Sequence, residues 1–164
     1  MTADIRAFKS ADADGVHSLL RDAFENLAEA DLVQSLRQDG DMALEMVAEL
    51  EGRIVGHIAY SQVEAPVWAL ALAPLSVAPP CQNRGIGGEL VRQSLKHCLS
   101  KGWEAVFVLG DPQYYQRFGF SVAKAKTFNS PYEGDHFQAL ELKPQCLEQQ
   151  HGNVRHANAF RNLT

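Results

Sequence analysis

The chain has 164 residues, 46% of them hydrophobic and 21% charged, and a formal net charge of −5. A chain near this length buries roughly 68–70% of its unfolded surface, so one domain over residues 1–164 with a real core is expected, and its acidity argues against a nucleic-acid binder. The absence of an apolar run of about 18 residues, of a basic and apolar leader after Met1-Thr2-Ala3-Asp4, and of paired cysteines (Cys81, Cys98 and Cys146 are scattered) argues against a membrane span, a secreted disulfide framework and a metal site.

These properties point to the cytoplasm, with a homodimer left open as an assembly. Residues 5–8 alternate and predict a short strand. Ser10 or Asp12 caps a helix that carries Val16, Leu19, Leu20, Ala23 and Phe24 at helical spacing. A second helix covers about residues 29–37, with Leu32, Val33 and Leu36 on one side, and Asp39-Gly40-Asp41 ends it. Residues 1–51 hold twelve acids against four bases, whereas the remainder holds eight against eleven. Either those acids solvate two surface helices or they face a cationic ligand.

Residues 43–49 and 54–63 read as a hairpin around Glu51-Gly52. Residues 68–77 form a third long strand, nearly uncharged, as suits a sheet centre covered on both faces. Pro74 lies inside it and cannot donate to a ladder, so it marks a bulge or an unpaired segment.

After Pro79-Pro80 comes Gln82-Asn83-Arg84-Gly85-Ile86-Gly87-Gly88, which opens the cleanest helix of the chain, about residues 85–101. Ile86, Leu90, Val91, Leu95, Cys98 and Leu99 form its apolar stripe, while Arg92, Gln93 and Lys96 face water. The first N–H groups of a helix lack intrahelical partners and carry partial positive charge, and glycines let a phosphate approach them. The segment therefore reads as a phosphate or pyrophosphate cradle. Arg84 supplies charge, and Gly85, Ile86, Gly87 and Gly88 supply N–H groups. A dinucleotide fingerprint needs a third glycine where Leu90 stands, and a Walker loop needs Gly-Lys-Ser/Thr, which is absent. What is present, Gln-x-Arg-Gly-x-Gly between a strand and a helix, resembles the acetyl-CoA-binding motif of the GNAT N-acetyltransferase family.

Residues 105–109 predict a buried parallel strand, and Asp111-Pro112 a helix start with its cap and a first-turn proline. The run Gly110-Asp111-Pro112-Gln113-Tyr114-Tyr115-Gln116-Arg117-Phe118-Gly119-Phe120 is similar to the C-terminal GNAT signature, in which a tyrosine stands four residues before Gly-Phe. Its fuller string resembles that of the YhbS-like subgroup of the family. The resemblance extends from about Ile5 to Ala159-Phe160. Residues 120–124 and 137–142 are expected to pair as the last strands, with a long loop at 130–134 between them. The polar tail over 152–164 offers Val154 and Phe160 for docking.

The resemblance implies an α/β (α+β) fold of the GNAT type: a central mixed, mostly antiparallel twisted sheet of about six or seven strands, flanked by about four helices. It implies direct transfer of acetyl from acetyl-CoA, as cosubstrate and without a metal, to a primary amine of a small molecule or protein. The bulged strand is expected to place Leu75, Ser76 and Val77 against the pantetheine arm and acyl group, with Gln82 and Asn83 joining the cradle. Asp111 and Arg117 are further contacts implied for the cofactor; Arg117 either reaches CoA or pairs with a surface acid. Tyr115 matches the family tyrosine that reaches the CoA sulfur, and at most one of Tyr114 and Tyr115 points there, because consecutive helical residues diverge by about 100°.

An amine of pKa about 10.4 costs roughly 4 kcal/mol to deprotonate near pH 7.5, so a base or a water relay is needed. Residues 68–77 hold no Asp, Glu or His; Glu64 and His57 are the nearest titratable candidates, against the simpler readings of a loop charge and a sheet hydrogen bond. The first two helices and the 130–134 loop are expected to shape the acceptor pocket. A CoA-binding regulatory or scaffold module without turnover is the rival reading.

Overall fold

A computed structural model of the chain describes residues 2–24 and 26–162. Met1, Glu25, Leu163 and Thr164, and with them the far end of the polar tail, lie outside the described residues. The elements run β1 (Asp4–Ala7), α1 (Ala13–Ala23), α2 (Ala28–Gln38), β2 (Met42–Leu50), β3 (Arg53–Val63), β4 (Ala69–Val77) and α3 (Ile86–Ser100). Then follow β5 (Ala105–Leu109), α4 (Pro112–Tyr115), α5 (Val122–Ala125), β6 (Phe128–Asn129), β7 (Phe137–Glu141) and β8 (Gly152–Asn153).

Six strands form one sheet in the order β1-β2-β3-β4-β5-β7. β1 to β4 pair antiparallel, β4 and β5 pair parallel, and β5 and β7 pair antiparallel. A parallel pair requires a crossover, and α3 supplies it. The period of two along each strand divides the core between the two faces. Leu70, Leu72, Val106 and Val108 join Leu90, Val91 and Cys98 of α3 in the largest cluster. On the opposite face Ala69, Ala105, Phe107 and Phe137 pack with Ala125, Phe128, Leu147 and Val154. Val47 lies beneath Val16 and Leu20 of α1 and Val33 of α2.

The C-terminal segment departs from expectation. Residues 120–124 do not pair as a strand: Ser121 makes one bridge to Ala139 and its hydroxyl then accepts from Lys124 N, opening the single-turn helix α5. A side-chain cap there outcompetes the ladder. β7 pairs with β5 instead, and the tail builds a second, two-stranded sheet by pairing β8 with β6. Leu99, expected in the apolar stripe of α3, is exposed.

Candidate active site

The parallel pair β4–β5 is in register from Ala69↔Ala105 to Leu72↔Val108 and then stops. On its other side β4 pairs Ile58↔Leu75 and Tyr60↔Leu72, so Ala73-Pro74 stands opposite Ala59 alone. That is a bulge, and beyond it β4 leaves β5. The expectation attached to Pro74 is met at this point: the strand keeps its β3 ladder and opens a fork toward β5. The backbone from residue 73 to 77 therefore has no β5 partner.

A cleft of about 620 Å³ follows from the fork along the α3 side. Leu75 and Val77 form one wall, and Gln82, Asn83, Gly85, Ile86, Gly87 and Gly88 another. Asn83 and Gly85 have φ of 64° and 85°, which turns the chain so that α3 starts with its free N–H groups toward the cleft. Gln82 donates from Nε2 to the Val77 carbonyl at 3.1 Å, fixing the loop to the strand it leaves. Gly87 permits a close approach: a Cβ there would lie 2.9 Å from the Tyr114 hydroxyl, so that side chain would have to shift. Arg92 and Arg117 complete the lining. Arg117 lies 4.5 Å over the Tyr114 ring and 5.1 Å over Phe118, and Arg92 lies 5.3 Å over Phe118.

Several sequence candidates fall outside this cleft. Arg84 and Asp111 are exposed and do not line it; Asp111 caps α4 by accepting from Gln113 N at 3.0 Å. Ser76 is buried on the far face, as cross-strand neighbour of His57. Arg92, expected to face water, is the cation that sequence reasoning missed. Its spacing carries the signal: it stands one helical turn after Gly88, where a Cβ would meet Arg92 Nη1 at 3.1 Å.

The two tyrosines diverge. Tyr114 faces the cleft, whereas the Tyr115 ring turns inward against Phe120, with ring centroids 5.6 Å apart, in the cluster that holds Leu72, Leu75 and Val108 at the fork. It fits only because residue 110 is glycine; a Cβ there would lie 2.5 Å from Tyr115 Cε2. Burial pushes the Tyr115 phenol well above its ordinary value, so it holds its proton at neutral pH.

The two candidate bases sit elsewhere. Glu64 lies just past the end of β3 that pairs with the start of β4, away from the fork, and its carboxylate is exposed, 3.7 Å from Arg155 Nη1. His57 is fully buried, its Nε2 2.8 Å from Glu45 Oε2, and Arg37 grips the same carboxylate through two 2.8 Å hydrogen bonds. Burial opposes ionisation of Glu45, but Arg37 and His57 outweigh it and hold the carboxyl below its ordinary range. Burial likewise holds the His57 pKa down, against the pull of Glu45. Neither residue lines the cleft.

Across the sheet from the cleft, behind the fork, is a smaller chamber of about 120 Å³. Ala71, Leu72, Ala73, Phe107, Val108 and Leu109 form its floor, and Tyr132, Phe137, His156 and Phe160 its walls. The 130–134 loop contributes Tyr132 to this chamber. The first two helices act indirectly: Leu32 and Leu36 of α2 pack on Ala159 and Phe160 of the tail. The tail is tied on both sides, by β6–β8 pairing and by reciprocal 2.9 Å hydrogen bonds between the Glu64 and Arg155 backbones. Glu64 thus fixes the residue before His156 through its main chain.

With this geometry established, the similarities to known proteins follow its outline. A family model described as "Acetyltransferase (GNAT) family" matches residues 13–120. The chain is 36% identical to the uncharacterized N-acetyltransferase YhbS of Escherichia coli K12 over 163 residues, covering 95% of this chain and 97% of YhbS. It is 38% identical to the uncharacterized N-acetyltransferase YjhQ of the same organism, covering 90% and 88%. The crystal structure of E. coli YhbS in complex with CoA superposes with a TM-score of 0.93, at 35% identity, over 98% of this chain and 93% of that one. A GNAT acetyltransferase from Brucella melitensis in complex with acetyl-CoA gives 0.82 at 32% identity, over 96% and 97%.

Proposed function

Because the chain belongs to the GNAT acetyltransferase family, we propose that it transfers the acetyl group of acetyl-CoA directly to a primary amine, with the α3-side cleft holding the cofactor. One observation carries the reading: β4 and β5 part at Leu72 and Val108, beside a glycine-rich helix start. The pyrophosphate takes the N–H groups of residues 85–88, and the pantetheine arm takes the β4 backbone beside Leu75, where β5 has left it. Arg92 and Arg117 add positive charge at the cleft, while Arg84 acts at longer range from the loop. The complexes of YhbS with CoA and of the Brucella protein with acetyl-CoA support acetyl-CoA as the cofactor.

Tyr115 donates its proton to the departing thiolate. It is packed among the residues that mark the fork and keeps that proton at neutral pH. Glu64 and His57 are not assigned the opposite role, since one is remote and the other enclosed. No group of three or more His, Cys, Asp or Glu residues among the described residues is arranged to hold a metal ion, and no helix among them is long and apolar enough to cross a membrane. Three free cysteines accord with a reducing, cytoplasmic compartment. The test is thiol release from acetyl-CoA on addition of amines. Amine-dependent release is expected; tight CoA binding with no release for any amine would leave the regulatory module instead.

A further inference from the structure

We propose that His156 receives the acceptor amine inside this small chamber, and that the chamber selects a primary amine carried on an uncharged, apolar stem. The proposal rests on the acetyltransferase reading above. It begins with position. A thioester carried along β4 past Val77 and Leu75 arrives at residue 73, where the floor of the chamber begins. Tyr132, His156 and Phe160 line both the chamber and an open outer cleft of about 660 Å³, so these three form a collar between solvent and fork. The His156 ring stands 4.9 Å from Tyr132 and 5.5 Å from Phe160, centroid to centroid.

The walls set the substrate class. Phe107, Leu109, Phe137 and Phe160 face the chamber, and no carboxylate lines it. A second ammonium placed there would be an uncompensated buried charge, which excludes compact polycations. Apolar surroundings also favour the neutral, nucleophilic form of the amine. At about 120 Å³ the space is below the roughly 300 Å³ of an ordinary ligand pocket, so it admits the amine and the first carbons of its stem.

His156 supplies the polar contact. Its Nδ1 is buried with no hydrogen-bond partner, leaving that atom for a ligand's N–H. Nε2 is 3.3 Å from Ser130 Oγ, and that oxygen also accepts from Tyr132 N at 3.1 Å. With Nε2–H donating to Ser130, Nδ1 keeps its lone pair for an amine N–H. Burial holds the His156 pKa at about 4, so the ring is neutral at pH 7. As the amine nitrogen bonds to the thioester carbon, the C–S bond breaks and its electron pair leaves on sulfur. Sulfur takes the Tyr115 proton, and the nitrogen's surplus proton passes to His156 Nδ1. Exchange with solvent then restores both side chains.

The experiment compares phenethylamine and butylamine with spermidine as acceptors, read by thiol release from acetyl-CoA, in wild type, His156→Phe, His156→Asn and Ser130→Ala. Wild type is expected to favour the monoamines by about tenfold or more in kcat/KM. His156→Phe should lower that value by about 100-fold, with acetyl-CoA affinity by calorimetry and the melting temperature unchanged. His156→Asn, which keeps an acceptor atom near the Nδ1 position, should recover about tenfold of the loss, and Ser130→Ala should lower kcat about tenfold. A preference for spermidine, or a folded His156→Phe with wild-type kcat/KM, overturns the proposal and leaves the acetyltransferase reading standing. If His156→Phe does not fold, unchanged kcat in Ser130→Ala overturns it. No turnover with any amine would remove both.

Discussion

The cleft on the α3 side and the chamber behind the fork flank adjoining stretches of β4, yet they are made of different material. The cleft is largely main chain: free N–H groups at the start of α3, and a strand backbone released by a bulge. The chamber is side chains from β4, β5, β7, the 130–134 loop and the tail, brought together by pairings between distant segments. A site made of backbone needs a local conformation, and local conformation leaves glycines and prolines in the sequence. A site made of distant side chains leaves no contiguous signal. The contrast also separates the labours expected of each: affinity for the cofactor on one side, identity of the acceptor on the other.

That division can be broken or sharpened by experiment. The largest effect is expected at the junction. Tyr115→Phe removes only a hydroxyl, so kcat should fall by roughly 10²–10⁴ while acetyl-CoA affinity changes little. Equal turnover in the variant, with chemistry shown to limit the rate, would end the assignment, as would a larger loss from Tyr114→Phe.

Gly87→Asp comes next and acts on the cleft alone. The new Cβ meets the Tyr114 hydroxyl and brings like charge to the pyrophosphate, so CoA affinity should weaken by about 100-fold or more, near 3 kcal/mol. Calorimetry showing undiminished affinity would refute the cradle.

The chamber has its own signature in the dependence of stability on pH. His156 titrates near 6.5 when unfolded but at about 4 in the fold. Its contribution is therefore complete above pH 6.5, declines as pH falls toward 4, and is constant below that. The lost stability is on the order of 1–3 kcal/mol, and His156→Phe should lack this part of the decline. Urea denaturation of both proteins at pH 7 and at pH 4.5 measures the difference; parallel losses would show that the ring is not shielded as described.

Arg92→Ala should have the smallest effect. The guanidinium is half exposed and already 3.2 Å from Glu89, so its loss should cost CoA affinity only about two- to fivefold. Because an exposed charge is screened, the deficit should shrink as salt rises toward about 1 M. A deficit that salt does not touch would mean direct, desolvated contact with the phosphates.

What the sequence disclosed follows the same division. Pro74 announced the bulge because a residue without an N–H has few places in a central strand. Gly85, Gly87 and Gly88 announced the helix start that lines the cleft, because a left-handed turn and a close approach leave glycines behind. The α3 stripe and the β2–β3 hairpin followed from periodicity. Residues 120–124 misled, since Phe120 and Val122 alternate with small and polar neighbours while Ser121 was there to cap a helix. Arg92 was assigned by its helical face, without regard to which end of the helix it occupied. Val154 and Phe160 of the tail were legible as docking residues and both are buried, but their partners were not: β8 finds its partner across the residues between Asn129 and Gly152, and nothing in Gly152-Asn153 specifies that choice. His156 was invisible for the same reason.

The fork has a consequence for the order of events. The cofactor cleft flanks β4 at Leu75 and Val77, and the chamber proposed for the amine flanks it at Ala71 to Ala73, across the sheet. Neither reactant stands in the other's doorway. Each can arrive first and each product can leave first, so both must be aboard together before anything reacts. Initial-rate lines for the two substrates should then intersect, and CoA should compete with acetyl-CoA while leaving the amine's own binding step alone.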